Sequence, residues 1–287
     1  MINEQEYLNI IKYTFPEIQI HDFKILGNGK YGVACLVNND IVFKVPIEYH
    51  ERINDAKKEI FLLKELNGRT SFETPRILYE KESGHGIIIG ETLVHGVTYS
   101  QELHDSFDQN TKSDILRQLG KIVRELHDIK ITDENHVLTV CDYKDSVSVF
   151  DEYFSDDVKK CFSPDDIQRI NAVCDRYEYL SINYPVDLVV VHADLHFGNL
   201  MFDVEKGKIV GLIDWAGACF AEPSRDMHYY YGDGAKDFLD GYGDNGDIYL
   251  RERQQFQAAV NFLSNIGEDI KYHKSPDKNV KKLLGIL

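Results

Sequence analysis

From residue 22 the chain reads DFKILGNGKYGVACLVNNDIVFKVP, with Val33, Cys35 and Val37 at alternate positions before VNND and Ile41, Phe43 and Val45 at alternate positions after it. A period of two on both sides of a tight polar turn predicts a β-hairpin. The pattern then changes: in DAKKEIFLLKELN (55–67) Ala56, Glu59, Ile60, Leu63 and Leu66 fall near one face at helical spacing, with Asp55 as N-cap. Pro75 precedes another extended stretch, and GHGIIIGETLV (84–94) predicts a strongly apolar strand after a Gly-His-Gly turn. HGVTYS breaks that pattern and places a boundary near residue 95. Beyond it TKSDILRQLGKIVRELHDI (111–129) returns to helical spacing through Ile115, Leu119, Ile122, Val123 and Leu126, behind a Thr111 cap. The rest reads as mainly helical, apart from two short strands that bracket VVVHADLHFGNLMF (189–202). The N-terminal MINEQEYLNIIKYTFPEI predicts an amphipathic helix.

Composition narrows the class. The 287 residues are 43% hydrophobic and 28% charged, with no Gly/Ser-rich or Pro-rich linker, no internal repeat and no apolar run near the ~20 residues that span a bilayer. The N-terminus lacks the basic flank and small-residue cleavage site of a signal peptide, so a cytoplasmic location is expected. Five cysteines, Cys35, Cys141, Cys161, Cys174 and Cys219, form no C-x-x-C pair and predict reduced, structural thiols. A formal charge of −16 argues against a nucleic-acid backbone as partner and favours a cationic one.

Four motifs carry candidate chemistry. GNGKYG fits G-x-G-x-x-G through Gly27, Gly29 and Gly32; because a strand rather than a helix follows, the glycine hairpin that covers nucleotide phosphates suits it better than a dinucleotide-binding turn. In IVFKVP, Lys44 lies on the strand face opposite to Ile41, Phe43 and Val45, where a lysine reaches α- and β-phosphates. Glu59 on the next helix is its expected ion-pair partner, ahead of Glu51 and Glu65, because it shares the face of Ile60, Leu63 and Leu66.

The stretch HADLHFGN offers His192, Asp194, His196 and Asn199. As a metal centre it lacks a third ligand at sensible spacing. As H-x-D-x-x-x-x-N it has the spacing of a phosphoryl-transfer loop, with Asp194 accepting the proton of an attacking hydroxyl, Asn199 holding Mg²⁺ and His192 supporting the loop backbone. The apolar KIVGLIDWAGA ends in Asp214, fifteen positions after Asn199, where a second Mg²⁺ ligand belongs.

Together GNGKYG, FKVP with Lys44, HADLHFGN and GLIDWAGACFAEPSRDM resemble the aminoglycoside phosphotransferase family, and the N-terminal arrangement resembles most the branch that phosphorylates the 2″ hydroxyl. The resemblance covers nearly the whole chain. It implies an α+β, bilobal protein-kinase-like fold, with a nucleotide-binding lobe at 1–95 and a mainly helical catalytic and substrate lobe at 96–287. It implies ATP or GTP as donor, with the purine held near Glu91 to Val94, so that Thr92 and Val94 join the nucleotide site. It also implies an aminoglycoside acceptor, whose ammonium groups Glu222, Asp226, Asp233, Asp237 and Asp240 are candidates to meet. MHYYYGDG carries tyrosines where the resembled branch is densely acidic, so a macrolide or another hydroxylated metabolite is the alternative acceptor. The 73 residues left after Asp214, Ala193 after His192, and the missing A-P-E element argue against a protein kinase.

Overall fold

A computed structural model describes residues 3–28, 32–47, 53–84, 86–230 and 234–287. In chain order the first elements are α1 (Glu4–Thr14), β1 (Phe23–Asn28), β2 (Gly32–Val37), β3 (Ile41–Pro46), α2 (Ile53–Leu66), β4 (Ile77–Ser83), β5 (Gly86–Thr92) and β6 (Val97–Thr98). Helices α3 (Gln101–Ser106), α4 (Gln109–Asp128), α5 (Tyr143–Tyr153), α6 (Asp156–Lys159) and α7 (Pro164–Asn183) follow. Then come β7 (Val189–Val191), β8 (Leu200–Asp203), β9 (Lys208–Leu212), β10 (Cys219–Ala221), α8 (Ala235–Tyr242), α9 (Leu250–Lys271) and α10 (Asp277–Ile286). Short 3₁₀ segments occupy Phe197–Asn199 and Pro223–Tyr230.

Two compact units divide the chain. The first is Met1–Gln101 with Ile131–Leu138 and Phe197–Ala218; the second is Glu102–Lys130, Thr139–His196 and Cys219–Leu287. The first unit thus reaches past residue 95 and takes back two later segments.

In the first unit an antiparallel sheet runs in the order β1-β2-β3-β5-β4. The expected hairpin is β2–β3, in register Val33↔Val45, Cys35↔Phe43 and Val37↔Ile41. Asn38 and Asn39 open the three-residue turn between the paired Val37 and Ile41 with φ of 54° and 65°, left-handed values that asparagine tolerates. The alternation then does its work: Val33, Cys35, Val37, Phe43 and Val45 are buried with Ile11 and Phe15 behind the sheet. A smaller sheet, β6-β8-β9, carries the segment returned from the second half of the chain.

The second unit is helical around a two-stranded pair, β10-β7. Its main core joins Phe150, Phe154, Ile170, Tyr177, Phe256, Leu263 and Ile266, with Tyr177 and Phe256 stacked 3.8 Å apart. Helix α8 crosses α4 at backbone contact: a Cβ on Gly120 would come within 2.1 Å of the Phe238 carbonyl, and one on Gly241 within 2.0 Å of the Arg117 carbonyl. Capping differs from expectation in two places. Asp108, not Thr111, caps α4, its carboxylate accepting the Thr111 N–H, because the aspartate sits at the extended position just before the first turn. Asp55 lies inside the first turn of α2, where it pairs with Lys58.

Among the described residues none of the five cysteines forms a disulfide, and no helix is long and apolar enough to cross a membrane.

Candidate active site

Lys44 is on β3 opposite Ala34 of β2 and Ile89 of β5. Its Nζ lies 2.5 Å from Oε1 of Glu59, which is 2% exposed on α2. The same Glu59 Oε1 accepts the backbone N–H of Trp215 at 3.1 Å. One buried carboxylate thereby ties the strand lysine to the residue after Asp214. The competitors fall away: Glu65 pairs with Arg69, and Glu51 lies outside the described residues.

A second carboxylate, unforeseen in the sequence, also faces the lysine. Glu91 of β5 is 3% exposed, with Oε1 3.3 Å from Nζ of Lys44. Its other oxygen is buried and finds no hydrogen-bond partner among the described residues. Burial pushes the Glu91 carboxyl up to about 7, with Lys44 pulling the other way. Burial alone would lower the Lys44 pKa, but Glu59, Glu91 and Asp214 outweigh it and hold the ammonium well above its ordinary value. The signal for Glu91 was a lone acid inside GIIIGETLV, a strand otherwise apolar.

Asp214 is exposed, at the end of β9, with φ of 66°. That left-handed turn costs a non-glycine residue of order 1 kcal/mol and takes the chain sharply out of the strand. Asn199 is buried, and its backbone carbonyl accepts the Ile213 N–H at 3.0 Å, fixing the two loops that carry Asn199 and Asp214 to one another. An amide oxygen and a carboxylate are the hard oxygen donors Mg²⁺ takes. At the end of β5 the Thr92 N–H is already given to the Arg76 carbonyl and the Leu93 N–H to the Asp40 carbonyl; Val94, buried, comes next. Gly27 has open space around its Cα, while Gly32 is required by fold, since a Cβ there would meet the Val45 carbonyl at 2.8 Å. Gly29 lies outside the described residues.

In the second unit the loop after β7 is shaped by Asp226, which is fully buried. Its Oδ2 accepts the His192 N–H at 2.8 Å, its Oδ1 the Ala193 N–H at 2.7 Å, and His127 Nε2 stands 3.1 Å from Oδ2. Burial works against the charge, but the donors from His127 and His192 win and hold the Asp226 carboxyl below its usual value. Tyr242 Oη backs His127 at 2.9 Å from Nδ1. Ala193 takes φ of 64°, and the Asp194 N–H donates to His192 Nδ1 at 3.3 Å, so His192 supports the loop as its position implied. His196 is half-exposed, with Nε2 3.8 Å from Asp194.

The described acids named for an acceptor all have protein partners, and two of them, Glu222 and Asp226, are buried. Glu222 is buried and meets Arg253 at 3.0 Å and Ser181 at 3.1 Å, while Asp247 completes the hold on Arg253. Asp237 binds Arg117 and Ser113, and Asp240 binds Lys236. Asp233 lies outside the described residues. Glu222 and Asp226 serve the internal structure of the second unit, because each closes a hydrogen-bond set that sequence spacing does not reveal.

The model of the phosphotransferase enzyme family matches residues 37–256. Among solved structures, the GDP and kanamycin complex of APH(2″)-IIIa is similar with a TM-score of 0.81 at 19% identity, covering 98% of each chain. The gentamicin complex of APH(2″)-IIa gives 0.69 at 16%, covering 99% of this chain and 96% of that one. APH(3″)-Id from Streptomyces rimosus, with ADP and streptomycin, gives 0.62 at 14%, covering 92% and 99%. The kinase-like fold expected from the motifs is therefore the fold observed. A family match across more than two hundred consecutive residues, with Lys44, Asp194, Asn199 and Asp214 inside it, places this chain in the phosphotransferase enzyme family, whose members pass a phosphoryl group to a hydroxyl acceptor.

Proposed function

We propose that the protein transfers the γ-phosphoryl group of ATP or GTP to a hydroxyl of an aminoglycoside. The observation that carries the donor half is Glu59 holding Lys44 and the Trp215 N–H at once, which fixes a cation for α- and β-phosphates next to the Asp214 turn. The glycine hairpin of Gly27, Gly29 and Gly32 covers the phosphates, and the backbone at Val94, beyond Thr92, is the place for the purine edge. Asn199 and Asp214 would hold Mg²⁺, which when bound neutralises charge on the transferring phosphate. Asp194 orients the acceptor hydroxyl and takes its proton as the oxygen attacks phosphorus and the bond to the nucleoside diphosphate breaks. Asp226 and His192 keep the Asp194 backbone in place. The solved neighbours bound to kanamycin, gentamicin and streptomycin support the acceptor class.

A second reading, a kinase for a macrolide or another less basic hydroxylated metabolite, is favoured by one observation: Glu222, Asp226, Asp237 and Asp240 already have protein partners. A coupled nucleotide-consumption assay with ATP and GTP in parallel, across aminoglycosides and macrolides, separates the two. Turnover confined to non-aminoglycosides overturns the first reading; Asp194→Ala must abolish whichever turnover is found.

A further inference from the structure

Helix α9 carries a pattern its apolar face does not explain. Phe256, Ala259, Leu263 and Ile266 enter the core of the second unit, yet Gln257, Asn261 and Ser264 form a polar stripe at spacings of four and three on the same helix. Gln257 is only 7% exposed. Among the described residues none of these three side chains hydrogen-bonds to another protein group, so their donors and acceptors are left for whatever fills the space beside them.

The stripe lines a cavity of about 200 Å³ that reaches Ala193, the residue before Asp194. Ser146 and Tyr153 of α5 stand across it, and Val149 and Val260 add apolar surface. Arg225 and His228 enter from the 3₁₀ segment Pro223–Tyr230. Burial pulls the His228 imidazole down to about 4, so it is neutral at physiological pH, and its Nδ1 sits 2.5 Å from the Arg225 carbonyl. No carboxylate is among the described lining residues, and the formal charge they bring is the guanidinium of Arg225; Asp226, whose oxygens are taken by the His192 and Ala193 N–H groups, and Asp194 act on His228 from outside the lining. Hydroxyls, amides and two apolar walls match a sugar ring, whose edges donate and accept hydrogen bonds and whose C–H faces are apolar; the volume suits one pyranose.

We infer that this cavity is a binding subsite for one neutral, hydroxyl-bearing sugar ring of the acceptor, read by Gln257, Asn261 and Ser264, and that Arg225 disfavours an ammonium group there. The inference rests on the kinase reading for its role beside Asp194, and it narrows the acceptor to molecules with an amine-poor ring next to the reacting one.

Saturation-transfer NMR at pH 7 tests it without catalysis, with methyl α-D-glucopyranoside and methyl 6-amino-6-deoxy-α-D-glucopyranoside as probes. The glucoside should bind the wild type at least about fivefold more tightly than the amino sugar, and Gln257→Leu and Asn261→Ala should each weaken it by about tenfold, the scale of a lost hydrogen bond in a site built for hydroxyls. Gln257→Glu should reverse the preference towards the amino sugar. Melting curves identify any variant that fails to fold, in which case the milder Asn261→Ala decides. No glucoside binding, equal binding by wild type and variants, or preference for the amino sugar in the wild type overturns the inference. Failure of the kinase reading shows elsewhere, as absent nucleotide consumption with every acceptor while the glucoside still binds.

Discussion

Glu59 is the residue whose removal the structure predicts most fully. In Glu59→Ala the Trp215 N–H loses its acceptor in a buried setting, worth about 1–3 kcal/mol. The lysine pair adds less than the 3–5 kcal/mol typical of a broken buried ion pair, since the Lys44 side chain is 27% exposed and Glu91 remains 3.3 Å away; about 1–2 kcal/mol is reasonable. The total is about 3 kcal/mol, or a fall in Tm of about 6–12 °C for a chain this long. Glu59→Gln keeps an oxygen for the Trp215 N–H and loses the charge, so it should cost about 1 kcal/mol. Both variants should lose about 10- to 100-fold in kcat/KM for the nucleotide, because each removes the carboxylate that fixes Lys44 beside the Trp215 N–H and leaves only Glu91 to position it. Differential scanning calorimetry on the two proteins and wild type, followed by nucleotide kinetics, reads all of this. The reasoning fails if Glu59→Ala melts within about 1 °C of wild type, or if the two variants melt alike, since the Trp215 hydrogen bond would then contribute nothing.

Glu91 makes a pH prediction. Its folded pKa of about 7 lies above the ordinary 4.5, so folding favours the protonated form: its stabilising contribution is present below about 4.5 and is lost as pH rises through 7. Glu91→Gln should gain Tm relative to wild type between pH 5 and 7.5, and a difference that stays constant over that range counts against the burial argument. Asp194→Asn should lower phosphoryl transfer by about 10²- to 10⁴-fold while nucleotide affinity, measured by calorimetry, stays within about twofold. Arg253→Met leaves Glu222 and Asp247 buried without their cation and should cost about 3–5 kcal/mol in urea unfolding. Gly241→Ala forces α8 off the Arg117 carbonyl and should destabilise by more than the helix-propensity gain of about 1 kcal/mol, so a variant more stable than wild type refutes that contact.

The sequence was most readable where chemistry and fold share a short stretch. Alternation through Val33 to Val45 fixed the hairpin and so the position of Lys44, and the face shared with Ile60 and Leu63 picked Glu59 from three acids. The H-x-D-x-x-x-x-N spacing is local and survives into the structure as a loop between β7 and β8. What stayed hidden is settled by residues far apart in sequence. Asp226 reads as one of the acids that could meet an acceptor until the loop after β7 brings it two N–H donors from 34 and 33 positions away. Glu222 and Arg253 are 31 residues apart, and the Asp237–Arg117 pair spans 120. Net acidity favoured a cationic partner and the family resemblance implied acids to meet it, yet a count of charges does not say which of them the fold consumes. The polar stripe on α9 was visible in the letters QAAVNFLS, but without the cavity opposite it reads as an ordinary solvated face.

On the role proposed for Asp194, the hold of Asp226 on His192 and Ala193 also links catalysis to the completeness of folding. Asp226 comes from the 3₁₀ segment, and its partner His127 is pinned by Tyr242 at the end of α8, so the loop takes its shape only once α4, α8 and that segment have come together. A molecule with the first unit formed and the second still loose would keep Lys44, Asn199 and Asp214, the groups proposed to engage a nucleotide, while the proposed base, Asp194, had no fixed place to stand. Turnover per molecule is then a direct gauge of how much of a preparation has finished folding, and nucleotide binding is not.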